Sequence, residues 1–128
     1  MSAATSSGKV LIVDDETDIL EIFRRGLEIR GYHVDTYSNP EEALENYVHN
    51  HYDHVFLDIR MPVMNGFDLA RAMWQKDPSA RVCFLTAFES YEEEANKVFK
   101  DFNKRCFRKK PVTIQTLVNH IENHHFNK

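Results

Sequence analysis

Polar side chains that could bind a metal ion and a phosphoryl group come at the ends of four short, strand-like segments of the sequence. They are Asp14, Asp15 and Glu16 after residues 9–13, Asp58 after 54–57, Thr86 after 81–85, and Lys110 after 105–108. Two carboxylates about 4 Å apart repel each other by roughly 4 kcal/mol at an effective dielectric near 20, so a cluster of carboxylates needs a cation. Oxygen ligands with few carboxylates suit Mg²⁺, and a lysine and a hydroxyl can bind the other oxygens of a phosphoryl group. If the four segments end at one place, the pattern favours magnesium-dependent phosphoryl chemistry.

These segments belong to an alternation of five predicted strands with five predicted helices. Residues 9–13 form a continuous apolar run, typical of a strand buried on both faces, whereas residues 17–30 carry apolar side chains at helical spacing. The same criteria predict strands over 9–13, 33–37, 54–57, 81–85 and 105–108, and helices over 17–30, 40–49, 67–75, 90–102 and from 114 onward. Such an alternation predicts a parallel sheet covered by helices on both faces, with ligands bound beyond the carboxyl ends of the strands. The polar side chains should therefore converge on one edge of the sheet.

Three local signals support the helix boundaries. Asn39 followed by Pro40 is typical of an N-cap and first helical residue, Gly31 of the position after a helix, and Thr113 of the last N-cap.

Composition predicts a single soluble domain. The chain has 128 residues, of which 42% are hydrophobic and 28% charged, and a net charge of −4. The acidic balance disfavours general binding to nucleic acid or to an anionic membrane surface. The sequence lacks both a membrane-spanning apolar run of about 18 to 20 residues and a signal peptide, and we expect a cytoplasmic protein.

The cysteines and histidines are only weak evidence for a disulfide or for a metal site. Cys83 and Cys106 lie in apolar or mixed segments, and two cysteines do not make a disulfide framework in a chain without an export signal. We therefore expect buried, reduced thiols. His120 and His124 have a spacing that could hold a metal, but no cysteine or carboxylate partner is evident, so structural or solvated histidines are expected.

Four motifs, taken together and in this order, resemble a receiver domain of two-component response regulators. They are residues 10–16 (VLIVDDE), 57–66 (LDIRMPVMNG), 85–87 (LTA) and 110–111 (KP). The resemblance runs from about Lys9 to Phe126, which leaves residues 1–8 as a polar tail before a domain over 9–128. It implies a flavodoxin-like, doubly wound sheet of order 2-1-3-4-5 in three layers with five helices. If the chain is complete, it is a stand-alone, chemotaxis-type receiver.

The resemblance also implies a role for each site residue. Asp58 matches the phosphoacceptor, and Lys110 and Thr86 match the residues that hold the oxygens of the phosphoryl group. Ligands for Mg²⁺ would be Asp15, Asp58, the backbone carbonyl of Arg60 and, through water, Asp14. The phosphodonor would be a phosphohistidine on a histidine kinase or a histidine phosphotransfer protein. Pro111 is expected to follow a cis peptide bond.

Two further pairs of residues match positions that control output and signal lifetime. Thr86 and Phe107 match the switch pair, although Phe107 could be a plain buried strand aromatic. Arg60 and Phe88 lie two residues past Asp58 and Thr86, where a long cationic chain and a bulky ring could obstruct the attacking water. We therefore expect slow self-dephosphorylation.

Alternatives from other functional classes remain open. The chain could be a degenerate receiver that docks a protein without phosphorylation. It could also be a magnesium-dependent phosphatase with an aspartate nucleophile, although Arg60 stands where such enzymes usually carry a second aspartate. The downstream protein is unidentified, and both a monomer and a phosphorylation-dependent dimer are possible.

Overall fold

The computed structural model describes residues 8–86 and 106–125, and it contains one five-stranded parallel sheet. The strands are β1 (Lys9–Val13), β2 (His33–Tyr37), β3 (His54–Asp58), β4 (Val82–Thr86) and β5 (Phe107–Lys109). Their order is β2-β1-β3-β4-β5, as predicted. The observed strands agree with the sequence prediction to within a residue, except that β5 begins two residues later than expected.

Four helices lie in the described ranges. They are α1 (Thr17–Ile29), α2 (Pro40–Glu45), α3 (Gly66–Lys76) and α4 (Ile114–His125). The further helix predicted over 90–102 lies outside the described residues. Among the helices that are described, none combines the length and the apolar character needed to cross a membrane.

The predicted cap residues occupy their expected positions. The Asn39 side chain accepts hydrogen bonds from the backbone N–H groups of Glu41 and Glu42, which satisfies two donors at the start of α2. Thr113 accepts a hydrogen bond from the N–H of Thr116 at 3.1 Å, and Gly31 follows α1 with a φ of +98°. A left-handed residue at that position is a common way to end a helix.

Helix α2 is shorter than predicted, because the chain after it serves a tertiary contact. Beyond Glu45, the Tyr47 ring is buried and its hydroxyl donates to Asp77 at 2.9 Å, while the N–H of Asn50 donates to the same carboxylate at 3.1 Å. Asn50 has a φ of +61°, in the left-handed region that an α-helix does not contain. These contacts need a backbone that is not helical, and α2 therefore ends at Glu45 rather than near residue 49.

Hydrophobic residues form two cores, one on each face of the sheet. Alternate side chains of a strand point to opposite faces, so neighbouring residues of β1 serve different cores. One core joins the sheet to α2 and α3 and includes Leu11, Val13, Ala43, Leu57, Leu69, Met73 and Phe84. The other joins it to α1 and α4 and includes Val10, Ile12, Phe23, Leu27, Phe56, Leu85, Leu117 and Ile121. The three predicted layers are therefore present.

Candidate functional site

The sheet register places two carboxylates side by side. Val13 of β1 pairs with Leu57 of β3, so the residues that follow them, Asp14 and Asp58, emerge next to each other at the carboxyl edge. Asp14 is fully buried and Asp58 is 6% exposed, whereas Asp15 is exposed. Carboxylate oxygens of these three residues lie within 4.8 Å of one another. The structure therefore brings together the three aspartates that were predicted from the sequence to be site residues.

Lys110 closes this cluster from the other side. Its Nζ donates to Asp14 Oδ2 at 2.8 Å and lies 3.4 Å from Asp58 Oδ1 and 3.6 Å from Glu16 Oε1. The peptide bond between Lys110 and Pro111 is cis, as the resemblance implied. One ammonium group therefore faces carboxylates from two different strand ends.

The cluster carries more negative charge than one lysine neutralises. Burial, together with the charge of Asp14, raises the pKa of Asp58 to about 7, and the charge of Lys110 opposes that rise. Burial alone would lower the pKa of Lys110, but its hydrogen bond to Asp14 and the carboxylate charges raise it instead. Lys110 stays a cation at neutral pH, and a second cation would stabilise the ionised form of Asp58.

The chemistry of the donors fits a small hard cation. The three carboxylates of Asp14, Asp15 and Asp58 form a rim at the carboxyl edge of the sheet and offer oxygen atoms only, which is the ligand type that Mg²⁺ prefers. Asp15, the exposed member, is open to water that could complete the coordination. Asp14 is less available than the other two, because its Oδ1 accepts from the N–H of Glu16 at 2.9 Å and its Oδ2 accepts from Lys110.

A tightly packed turn holds Asp58 in place. The N–H of Gly66 donates to the carbonyl oxygen of Ile59 at 2.9 Å, which folds the start of α3 back onto the end of β3. A Cβ atom on residue 66 would overlap the carbonyl oxygen of Asp58 and lie 3.0 Å from the Cα of Ile59. Asn65 caps α3 by accepting from the N–H of Asp68 at 2.9 Å, a role that the sequence analysis missed although Asn is a common N-cap.

The family model for the response regulator receiver domain matches residues 10–122. The chain belongs to this family. The receiver domain is 38% identical over 93 residues to the transcriptional regulatory protein PrrA of Mycobacterium leprae, covering 73% of this chain. The chain spans 40% of the length of PrrA.

Two further comparisons cover most of both chains. The receiver domain is 30% identical over 118 residues to the response regulator receiver protein CpdR of Brucella abortus, covering 89% of this chain and 93% of CpdR. It also resembles the crystal structure of the response regulator protein TrrA from Thermotoga maritima in complex with Mg²⁺-BeF. That match has a TM-score of 0.74 and 30% identity and covers 90% of this chain and 96% of the other. The resemblance drawn from the four motifs is confirmed.

The structure describes the other predicted site residues of this receiver domain to different extents. Arg60 is exposed in the turn after β3, and Phe107 of β5 is half-buried, stacked on Phe84 of β4 with ring centroids 5.4 Å apart. Thr86 ends β4 and its backbone pairs with Lys109, but its side chain is outside what the structure describes. Phe88 lies outside the described residues. The switch and lifetime roles of these residues stay predictions.

The prediction of reduced thiols is wrong, because Cys83 and Cys106 form a disulfide. Phe84 pairs with Phe107 in the β4–β5 register, so the preceding residues, the two cysteines, lie opposite each other with their Cα atoms 4.5 Å apart. His120, for which no cysteine partner was expected, has both ring nitrogens 3.8 Å from the Sγ of Cys106. Linear spacing could not show a pairing that depends on strand register.

Proposed function

We propose that this receiver domain accepts a phosphoryl group on Asp58 from a phosphohistidine of a histidine kinase or of a histidine phosphotransfer protein. The observation that carries the proposal is the position of Asp58, at a strand end between two acidic neighbours and the ammonium group of Lys110. In this role the protein is a phosphoacceptor that assists its own modification rather than an enzyme with turnover. The transfer would take place in the cytoplasm, the compartment expected from the sequence.

Each residue of the rim would have its own role in the transfer. A carboxylate oxygen of Asp58 attacks phosphorus, the bond to the histidine nitrogen breaks, and an acyl phosphate forms. Lys110 offers its charge to an oxygen of the phosphoryl group, and the Thr86 hydroxyl would hold another. Mg²⁺, held by Asp15, Asp58 and the backbone carbonyl of Arg60, with Asp14 acting through water, would neutralise charge on the transferring group.

Phosphorylation would change the surface that partner proteins bind. Thr86 would move toward the phosphoryl group, and Phe107 would turn further inward from its half-buried position on Phe84. Phenylalanine carries no hydroxyl, so inward rotation leaves no polar group without a hydrogen bond. Arg60 and Phe88 would shield the acyl phosphate from water and prolong the signal.

The decisive experiment is the substitution Asp58→Asn, assayed with a small acyl phosphate donor and Mg²⁺. We expect the wild-type protein to gain one hydroxylamine-sensitive phosphoryl group and the variant to gain none, because an amide is not a nucleophile toward phosphorus. Asp68→Asn is the matched control, since Asp68 lies on the surface of α3 and should leave phosphorylation unchanged. Retention of an acid-stable label by Asp58→Asn would refute the assignment.

A further inference from the structure

The Cys83–Cys106 disulfide joins the second residue of β4 to the residue that precedes β5. The two ends differ in access to solvent: Cys83 is 1% exposed inside the core beneath α1 and α4, whereas Cys106 is partly exposed. A reagent from solution can therefore reach one sulfur of the pair far more easily than the other.

The surroundings of Cys106 favour its reactive form. The His120 ring lies 3.8 Å from its Sγ, and an amino group of Arg108 lies 3.2 Å from Nδ1 of that ring. A guanidinium can only donate, so Nδ1 accepts and the proton of the neutral ring is on Nε2. A ring N–H and a nearby cation both stabilise a thiolate, which is the nucleophile in thiol oxidation.

We propose that Cys83 and Cys106 are a reversible dithiol–disulfide pair, that hydroperoxides convert the two thiols into the disulfide, and that Cys106 reacts first. The Cys106 thiolate attacks the outer oxygen of the hydroperoxide; the O–O bond breaks, and an alcohol leaves with the proton of the former thiol. The resulting sulfenic acid is then attacked by the sulfur of Cys83, which forms the S–S bond and releases water with the proton of Cys83. Sulfur is oxidised by two electrons overall, and the peroxide is reduced.

The bond acts on the backbone next to the proposed switch residue. The N–H of Phe84 donates to the carbonyl oxygen of Cys106 at 2.8 Å, so the disulfide reinforces the hydrogen bond that attaches β5 to β4 at this point. Phe107, the next residue, points into the core on the other face of the sheet. Oxidation would therefore restrain the strand that carries Phe107. This consequence for signalling rests on the proposed function, whereas the thiol chemistry does not.

The first test counts thiols in the intact protein. The chain is equilibrated in buffers of graded reduced and oxidised glutathione, free thiols are alkylated, and the intact mass is measured. We expect two thiols to disappear together and to return fully on reduction. With hydrogen peroxide and dimedone, we expect trapping of a sulfenic acid on Cys106 in Cys83→Ala but not on Cys83 in Cys106→Ala. Thermal melting confirms that both variants fold.

Two results would overturn the proposal. One is that both thiols stay alkylatable in the most oxidising buffer. The other is that the reduced protein retains stoichiometric added Zn²⁺ and that both thiols then resist oxidation by hydroperoxide, since the two sulfurs and His120 also present ligands of the kind that zinc binds.

A second test measures the restraint on β5 without any phosphorylation. In hydrogen exchange, the amide of Phe84 should exchange roughly tenfold more slowly in the oxidised than in the reduced wild-type protein, because the disulfide opposes local opening. The amide of Val55 in β3, which donates to the carbonyl oxygen of Arg81 at 2.8 Å, serves as an internal reference. Equal protection of Phe84 in the two states would contradict the restraint, and because Asp58 plays no part in either test, failure here is separate from failure of the proposed function.

Discussion

Lys110 contacts both buried aspartates at the rim, so it should stabilise the fold in addition to its proposed chemical role. Asp14 is fully buried, and two groups bind its carboxylate oxygens: the N–H of Glu16 and the ammonium of Lys110. A buried carboxylate that loses its cation keeps its desolvation cost without compensation. The contact that places Lys110 for its proposed role with a phosphoryl oxygen therefore also stabilises the fold without a metal ion.

We expect Lys110→Met to lower the free energy of unfolding by about 3 kcal/mol without Mg²⁺, because a buried ion pair loses one partner. Urea denaturation measures this loss, and saturating Mg²⁺ should restore part of it. Lys109→Met is the control, since Lys109 is an exposed neighbour and its loss should cost less than about 0.5 kcal/mol. An equal loss in both variants would show that Lys110 has no special role in the cluster.

Asp77 is a third buried carboxylate, and it has a structural role. Burial alone would raise its pKa, but hydrogen bonds from the Asn50 N–H and the Tyr47 and Ser79 hydroxyls, with the charge of His49, lower it below the ordinary 3.8. Its stabilisation is therefore present above pH 3.8 and is lost as the pH falls through the lower folded pKa.

We expect Asp77→Ala to destabilise the protein at neutral pH and to flatten the pH dependence of the unfolding free energy below pH 4. Denaturant titrations between pH 2.5 and 7 would measure both effects. Tyr47→Phe, which removes one donor and keeps the carboxylate, should lose less stability at neutral pH and retain most of the acid dependence. A wild-type slope in Asp77→Ala would contradict this explanation.

At the scale of elements, the turn between β3 and α3 determines where Asp58 lies. We expect Gly66→Ala to lower stability by about 2 kcal/mol or more, because the added methyl group would overlap the backbone of Asp58 and Ile59, which cannot move aside as a side chain could. Phosphorylation should also slow, since the displaced backbone carries Asp58, the proposed acceptor. Gln75→Ala, at an exposed position of α3, is the control. Wild-type stability and phosphorylation in Gly66→Ala would show that the turn tolerates a side chain.

Helices and strands that depend on their local sequence could be predicted, whereas contacts that depend on the register between strands could not. Strands β1 and β3 are continuous apolar runs, and Asn39 and Thr113 are strong caps, so local chemistry was sufficient. Helix α2 was predicted too long because Tyr47 and Asn50 satisfy Asp77, which is 27 or more residues away. At the site, the acidic residues were found because each follows a strand, whereas the disulfide required the β4–β5 register.

At the scale of the whole molecule, the disulfide joins β4 to the residue before β5, two segments that are far apart in the sequence. Cys83 and Cys106 are 23 residues apart, and closing a loop of that size removes conformational freedom from the unfolded chain. Cys83 lies in the core shared with α1 and α4, so the bond also fixes the β5 end of the sheet to that core.

We expect reduction of this disulfide to lower the free energy of unfolding by about 3 kcal/mol, the loop-entropy value for a loop of this length. Urea denaturation with and without a dithiol reductant measures the difference. The double variant Cys83→Ala/Cys106→Ala is the control: its midpoint should not respond to reductant and should lie near that of the reduced wild-type protein. A wild-type midpoint that is the same in both buffers would show that the bond does not contribute to stability. If reductant lowers the stability of the wild-type protein alone, the stability of the receiver depends on whether the two thiols are oxidised, because only the oxidised chain carries the cross-link when it unfolds.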